Sequence, residues 1–88
     1  MNQNNDKVIY DYADKFINLA NEMARSDRSG NVGIAIRFAA ARYSAFEASM
    51  RTNNLAGDKD KQLQDFSNAF KDMLHVNLED YIKVQSQK

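Results

Sequence analysis

The chain contains no cysteine and no proline, and only three of its 88 residues are glycine. Without cysteine it can form no disulfide, no thiolate zinc site and no cysteine nucleophile. Without proline, no residue forces a break in a helical pattern. Two of the glycines, Gly30 and Gly57, fall between helical patterns, and we expect a loop at each of them.

An excess of charge of either sign is also absent. Twelve basic residues balance twelve acidic ones, and residues 1–50 and 51–88 each carry six of each sign. This balance argues against nucleic acid and anionic lipid as partners, because both attract basic surfaces. No apolar stretch approaches the ~20 residues that span a bilayer, and residues 1–6 lack the pattern of a signal peptide. We therefore expect a cytoplasmic protein that binds neither nucleic acid nor membrane.

Apolar residues recur at three- and four-residue spacing in three segments, and no strand pattern competes with them. The spacing predicts helices over residues 7–25 and 32–53, and a third that begins near Asp58 or Asp60 and ends near Lys83. Because short loops favour antiparallel neighbours, we predict an all-α fold, a three-helix antiparallel bundle. Residues 1–88 then form a single helical domain, and residues 1–6 and 85–88 are expected to be disordered.

The apolar residues of each helix are expected to form the core. In the first helix they are Ile9, Tyr12, Ala13, Phe16, Leu19, Ala20 and Met23. The second helix is apolar over so wide an arc that two neighbouring helices are not expected to cover it fully. In the third helix Asn77 interrupts the stripe, and Asn77-Leu78-Glu79-Asp80 resembles a helix start. We therefore expect the third helix to be kinked or split near Asn77.

Arg42 is the most informative single residue, because it lies at the centre of the apolar face of the second helix. Phe38 and Phe46 flank it one turn away on either side. A charge at such a position must be paired, exposed through a gap or used to hold a ligand or partner. In an antiparallel pair of helices Asp14 lies level with Arg42, so an Asp14–Arg42 ion pair is our hypothesis, with Asp80 as the second candidate partner.

Few residues suit catalysis or metal binding. Asp72, His75 and Glu79 share one polar helix face, but the chain has one histidine and a metal site needs three or four ligands. No Ser–His–Asp arrangement is evident. We therefore expect no catalytic residue, no metal site and no cofactor. Tyr43 and Tyr81 are expected at a core margin, where a groove could open, because a buried hydroxyl needs a partner or water.

Three segments together resemble a known family: residues 13–22, 38–46 and 77–82. It is a family of short bacterial helical proteins classed as a domain of unknown function, and the resemblance covers residues 9–83. It implies a small helical bacterial protein and brings no assigned activity. The motif positions that it carries over are Asp14, Asn21, Glu22, Arg42, Tyr43, Asn77, Asp80 and Tyr81.

These observations favour a non-enzymatic interaction module that binds a protein partner or a second copy of itself. The alternative is a small-molecule or anion-binding protein, or an enzyme, with its site around Arg42. The candidate ligand- or partner-binding residues are the same under both hypotheses: Arg42, Asp14, Tyr43, Asp80, Tyr81 and Asn21.

Overall fold

The computed structural model describes the backbone of residues 3–87 and the side chains of residues 5–87. Three helices account for nearly all of this part of the chain: α1 (Gln3–Ser26), α2 (Asn31–Arg51) and α3 (Leu55–Ser86). The predicted all-α class and the three helices are confirmed. Their arrangement as an antiparallel bundle stays a prediction.

The turn between α1 and α2 is formed by hydrogen bonds between neighbouring residues. The Asp27 carboxylate accepts from the backbone N–H of Ser29 at 2.9 Å and from its hydroxyl at 2.5 Å. The Ser29 hydroxyl oxygen in turn accepts from the N–H of Asn31 at 3.2 Å. Gly30 has a φ of 96°, in the left-handed region that glycine adopts without steric cost. Gly30 therefore lies in a loop, as predicted, and this turn starts α2.

The turn between α2 and α3 uses the side chains of Thr52 and Asn54. Asn54 caps α3, because its side-chain oxygen accepts from the N–H of Gly57 at 3.2 Å. The Thr52 hydroxyl donates to Asp58 at 2.6 Å, and its oxygen accepts from the N–H of Asn54 at 3.0 Å. The loop predicted at Gly57 is wrong, because α3 begins at Leu55, before the expected start near Asp58 or Asp60, and includes Gly57 in its first turn.

The predicted split of the third helix is wrong, because α3 continues without a break through Asn77. The Asn77 side-chain amide donates to the carbonyl of Met73 at 2.8 Å, one turn earlier. This bond satisfies the amide within the helix, so the asparagine does not have to start a new one. A bend at this point stays a prediction.

Disorder was expected at both ends of the chain, in residues 1–6 and 85–88. The structure places residues 3–6 in α1 and residues 85–86 in α3. The helical backbone therefore extends at both ends beyond the apolar stripes from which the helices were predicted. Residues 1, 2 and 88 lie outside the described residues.

The chain divides into two units, Met1–Tyr43 and Ser44–Lys88, with the boundary inside α2. In the first unit most of the half-buried residues lie beside the α1–α2 turn, among them Ala20, Ala24 and Val32. In the second unit Ala48 is the single buried residue of the described part of the chain. The Arg51 guanidinium lies 4.7 Å from the centre of the Phe66 ring, beside the α2–α3 turn.

Candidate functional site

Arg42 lies on α2 and is exposed, contrary to the expectation that its guanidinium points into a core. Its neighbours along the same face, Phe38 and Phe46, are 68% and 56% exposed. The helical spacing that places these three residues on one face is therefore right. The expectation fails because the described structure leaves the whole face uncovered, so the charge remains hydrated.

The predicted ion pair between Asp14 and Arg42 does not form. Among the described residues the ion pairs are Lys7–Asp11 at 2.9 Å and Lys61–Asp65 at 2.7 Å, both exposed and one helical turn apart. Asp14 is exposed as well, so neither partner has lost the hydration that would make pairing necessary.

The other candidate residues are also exposed. Asn21 lies on α1 two turns after Asp14 and therefore on the same helix face. Tyr43 ends the first unit and takes part in an interaction of its own. Asp80 and Tyr81 are neighbours on α3 in the second unit. Within each unit, these residues form no cluster around a buried polar group.

Two side chains have shifted pKa values, and both shifts come from local hydrogen bonds. The pKa of Asp27 lies below its ordinary value because the hydroxyl and then the backbone N–H of Ser29 donate to the carboxylate. The pKa of Lys61 is raised because its ammonium group donates to Asp65, whose charge adds to the effect. Neither shift marks a reactive group, since each follows from a turn or a helix-surface pair.

Across the described side chains, no group of three acidic or histidine residues lies close enough to hold a metal ion. None of the three described helices combines the length and apolar character that crossing a membrane requires.

The most distinctive feature of the described surface is the exposure of the apolar residues themselves. Among the exposed large apolar side chains of α1, five repeat at a spacing of three and four residues and are 47–66% exposed. We call them the α1 seam: Ile9, Tyr12, Phe16, Leu19 and Met23. The sequence identified these residues but assigned them to the core. Their alternating spacing of three and four residues is also the pattern of a helix that pairs with another helix.

The α3 helix exposes a second set of apolar residues. Every described residue after Phe66 is exposed, and the large apolar ones include Phe70, Met73, Leu74, Tyr81 and Val84. Asn77 interrupts this set, whereas no polar residue interrupts the α1 seam. The α1 seam is therefore the more continuous apolar surface of the two.

One cation lies at the edge of the α1 seam. The Lys15 ammonium nitrogen is 5.8 Å from the centre of the Tyr12 ring, within reach of a cation–π contact. Glu22 follows two turns later on the same side of the helix. Neither Lys15 nor Glu22 enters an ion pair with another described residue, so both charges are available to a partner.

The fold and this surface define a small all-α protein whose helices present apolar faces. The family model described as Protein of unknown function (DUF3144) matches residues 9–82, and the chain belongs to that family. No curated protein and no solved structure gives a significant match to the chain.

Proposed function

We propose that this protein is a non-enzymatic interaction module whose apolar helix faces are covered by another protein chain. One observation carries the proposal: the five side chains of the α1 seam lie at regular helical spacing and are about half exposed or more, at 47–66%. Covering one such aromatic side chain is worth on the order of 2 kcal/mol. An exposed apolar surface of this kind is typical of a site that binds another protein.

The stability of α1 supports the same proposal. In proteins most of the stability of a helix such as α1, with its 24 residues, comes from packing of its apolar face against a neighbour. Most of α1 is exposed, and the half-buried Ala20 and Ala24 offer small packing areas. A partner that covers the α1 seam supplies the packing that the helix needs.

The charge balance bears on what kind of molecule this partner is. With 12 basic and 12 acidic residues the chain has no net charge to attract a polyanion. An apolar face with a few charges along its edge suits another protein helix, where burial supplies affinity and the charges select orientation.

Photo-crosslinking in the organism that encodes the protein tests this proposal. A benzophenone amino acid replaces Phe16 on the α1 seam or, as a matched control, Asn18 on the solvated side of α1. We expect Phe16 to yield one protein adduct of defined mass and Asn18 to yield none. If neither position, or both equally, form adducts, the α1 seam does not bind a protein.

A further inference from the structure

We propose that the α1 seam binds the α1 seam of a second copy of this chain, with the two helices antiparallel. The inference rests on the proposed function and names the occupant of the surface. Its basis is the alternating three- and four-residue spacing of the seam, which places all five side chains on the side of α1 that would contact a neighbouring helix. These residues are Ile9, Tyr12, Phe16, Leu19 and Met23.

The order of side-chain sizes along the seam favours the antiparallel orientation. Two aromatic residues, Tyr12 and Phe16, precede two flexible aliphatic ones, Leu19 and Met23. A two-fold axis between residues 17 and 18 places Phe16 beside Leu19 of the partner subunit, and Tyr12 beside Met23 of the partner subunit. Each ring then packs against a deformable side chain, and sulfur–aromatic contact is favourable. A parallel pair would place each aromatic residue against its own copy.

The charges at the edge of the seam favour the same orientation. Lys15 and Glu22 lie two turns apart on one side of α1, and both are exposed and without an ion-pair partner among the described residues. In an antiparallel pair this edge lies against the same edge of the second copy, which runs in the opposite direction. Lys15 of each copy then approaches Glu22 of the partner subunit, which gives two such pairs per dimer. In a parallel pair the same edge faces Ala13 and Ala20 of the partner subunit instead.

The exposed area is sufficient for a specific interface. Tyr12 and Phe16 are 59% and 66% exposed, so each offers on the order of 120 Å² to a partner. The four seam residues that face one another across the axis offer about 900 Å² over two copies, and Ile9 at the end of the seam adds to this area, so the interface reaches the range of about 1,000 Å² that a specific one needs. The neutral chain also has no net repulsion against its own copy.

Disulfide trapping tests the orientation directly, because the chain has no cysteine of its own. The variants Lys15→Cys and Glu22→Cys are oxidised separately and as an equal mixture. We expect the mixture to yield at least tenfold more disulfide-linked dimer, joined between positions 15 and 22, than either variant yields alone through two identical positions. Asn18→Cys, on the solvated side of α1, is the matched control. Equal trapping of all combinations, or none, would overturn the antiparallel seam.

Charge exchange provides a second measurement that does not depend on a cysteine. By sedimentation equilibrium, Lys15→Glu and Glu22→Lys should each weaken dimerisation on the order of tenfold, since two pairs are lost and like charges meet. The double variant should return the dissociation constant to within about threefold of the original. Single variants that leave it unchanged would show that dimerisation uses another surface.

The two proposals fail in different ways. If the purified chain remains monomeric at every concentration, the second copy is wrong as occupant of the seam. If photo-crosslinking at Phe16 then still yields an adduct with a different protein, the interaction module stands. If Phe16 yields no protein adduct at all, both proposals are wrong.

Discussion

At the scale of single residues, Arg42 shows how a correct face assignment can lead to a wrong environment. The helical pattern correctly placed it between Phe38 and Phe46, but all three residues are exposed. Periodicity depends on local sequence, whereas burial depends on what lies opposite the face. The sequence of one helix is therefore enough to predict which residues share a face. Burial of that face depends also on the sequences of all the segments that pack against it.

Arg42→Met tests the environment of this guanidinium. Because Arg42 is exposed and forms no ion pair with a described residue, we expect the free energy of unfolding to change by no more than about 0.5 kcal/mol. Urea denaturation at a fixed protein concentration measures this change, with Arg37→Met on the same helix as the control. A loss of several kcal/mol would instead support the buried pair that the sequence suggested.

Gln62 is a second residue whose environment leads to a prediction. Its side-chain carbonyl oxygen is buried in the second unit and accepts no hydrogen bond from any described residue. Such an acceptor costs about 1–3 kcal/mol, and methionine has a similar length and helix propensity. Gln62→Met should therefore increase the free energy of unfolding by about 1 kcal/mol, as measured by urea denaturation.

The neighbouring Gln64 supplies the matched control for this substitution, because it lies on the same helix but is exposed. Gln64→Met should leave the free energy of unfolding within about 0.5 kcal/mol of the original. If both substitutions stabilise the chain equally, the gain comes from added apolar character and not from removal of the unpaired oxygen.

At the scale of the elements, the sequence predicted the helices well and their ends less well. The three apolar stripes located α1, α2 and α3, because a repeat of three and four residues is a property of each segment alone. Asn77 was misread because an asparagine can cap a new helix or donate to its own. The bond to Met73 decides between these outcomes, and no spacing rule contains it.

The start of α3 leads to a prediction about two coupled residues. Asn54 caps α3 by accepting a hydrogen bond from the backbone N–H of Gly57. A Cβ added at position 57 would collide with the side-chain amide of Asn54. Gly57→Ala should therefore gain helix propensity but displace the cap, so the free energy of unfolding changes little. In a chain that already carries Asn54→Ala, the same substitution should stabilise by about 1 kcal/mol.

A double-mutant cycle in urea measures this coupling. Asn54→Ala alone should cost about 1 kcal/mol, and Asn53→Ala, which removes the preceding asparagine without touching the cap, is the control. Additive effects of Asn54→Ala and Gly57→Ala would mean that the Asn54 side chain does not occupy the cap position.

At the scale of the whole molecule, the candidate site is where the sequence was least informative. The residues chosen for chemistry, Arg42 and Asp14 among them, do not form an ion pair with each other, whereas residues assigned to the core are exposed. The α1 seam was recognised as an apolar stripe, because amphipathic helices in a core and in an interface have the same periodicity. Only the exposure of the seam distinguishes these two roles.

The dependence of thermal stability on protein concentration distinguishes, in solution, a seam that packs within one chain from a seam that binds a second copy. If a second copy covers the α1 seam, unfolding separates two chains, and dilution favours the unfolded state. A tenfold increase in concentration adds about 1.4 kcal/mol per dimer, which corresponds to a rise in Tm of about 3–5 °C for two chains of this length. Calorimetry over two decades of concentration measures it. The variant Phe16→Glu should lower Tm and abolish the concentration dependence, whereas Asn18→Glu should leave it intact. A Tm of the original chain that does not change with concentration would mean that its helices are stabilised within one copy.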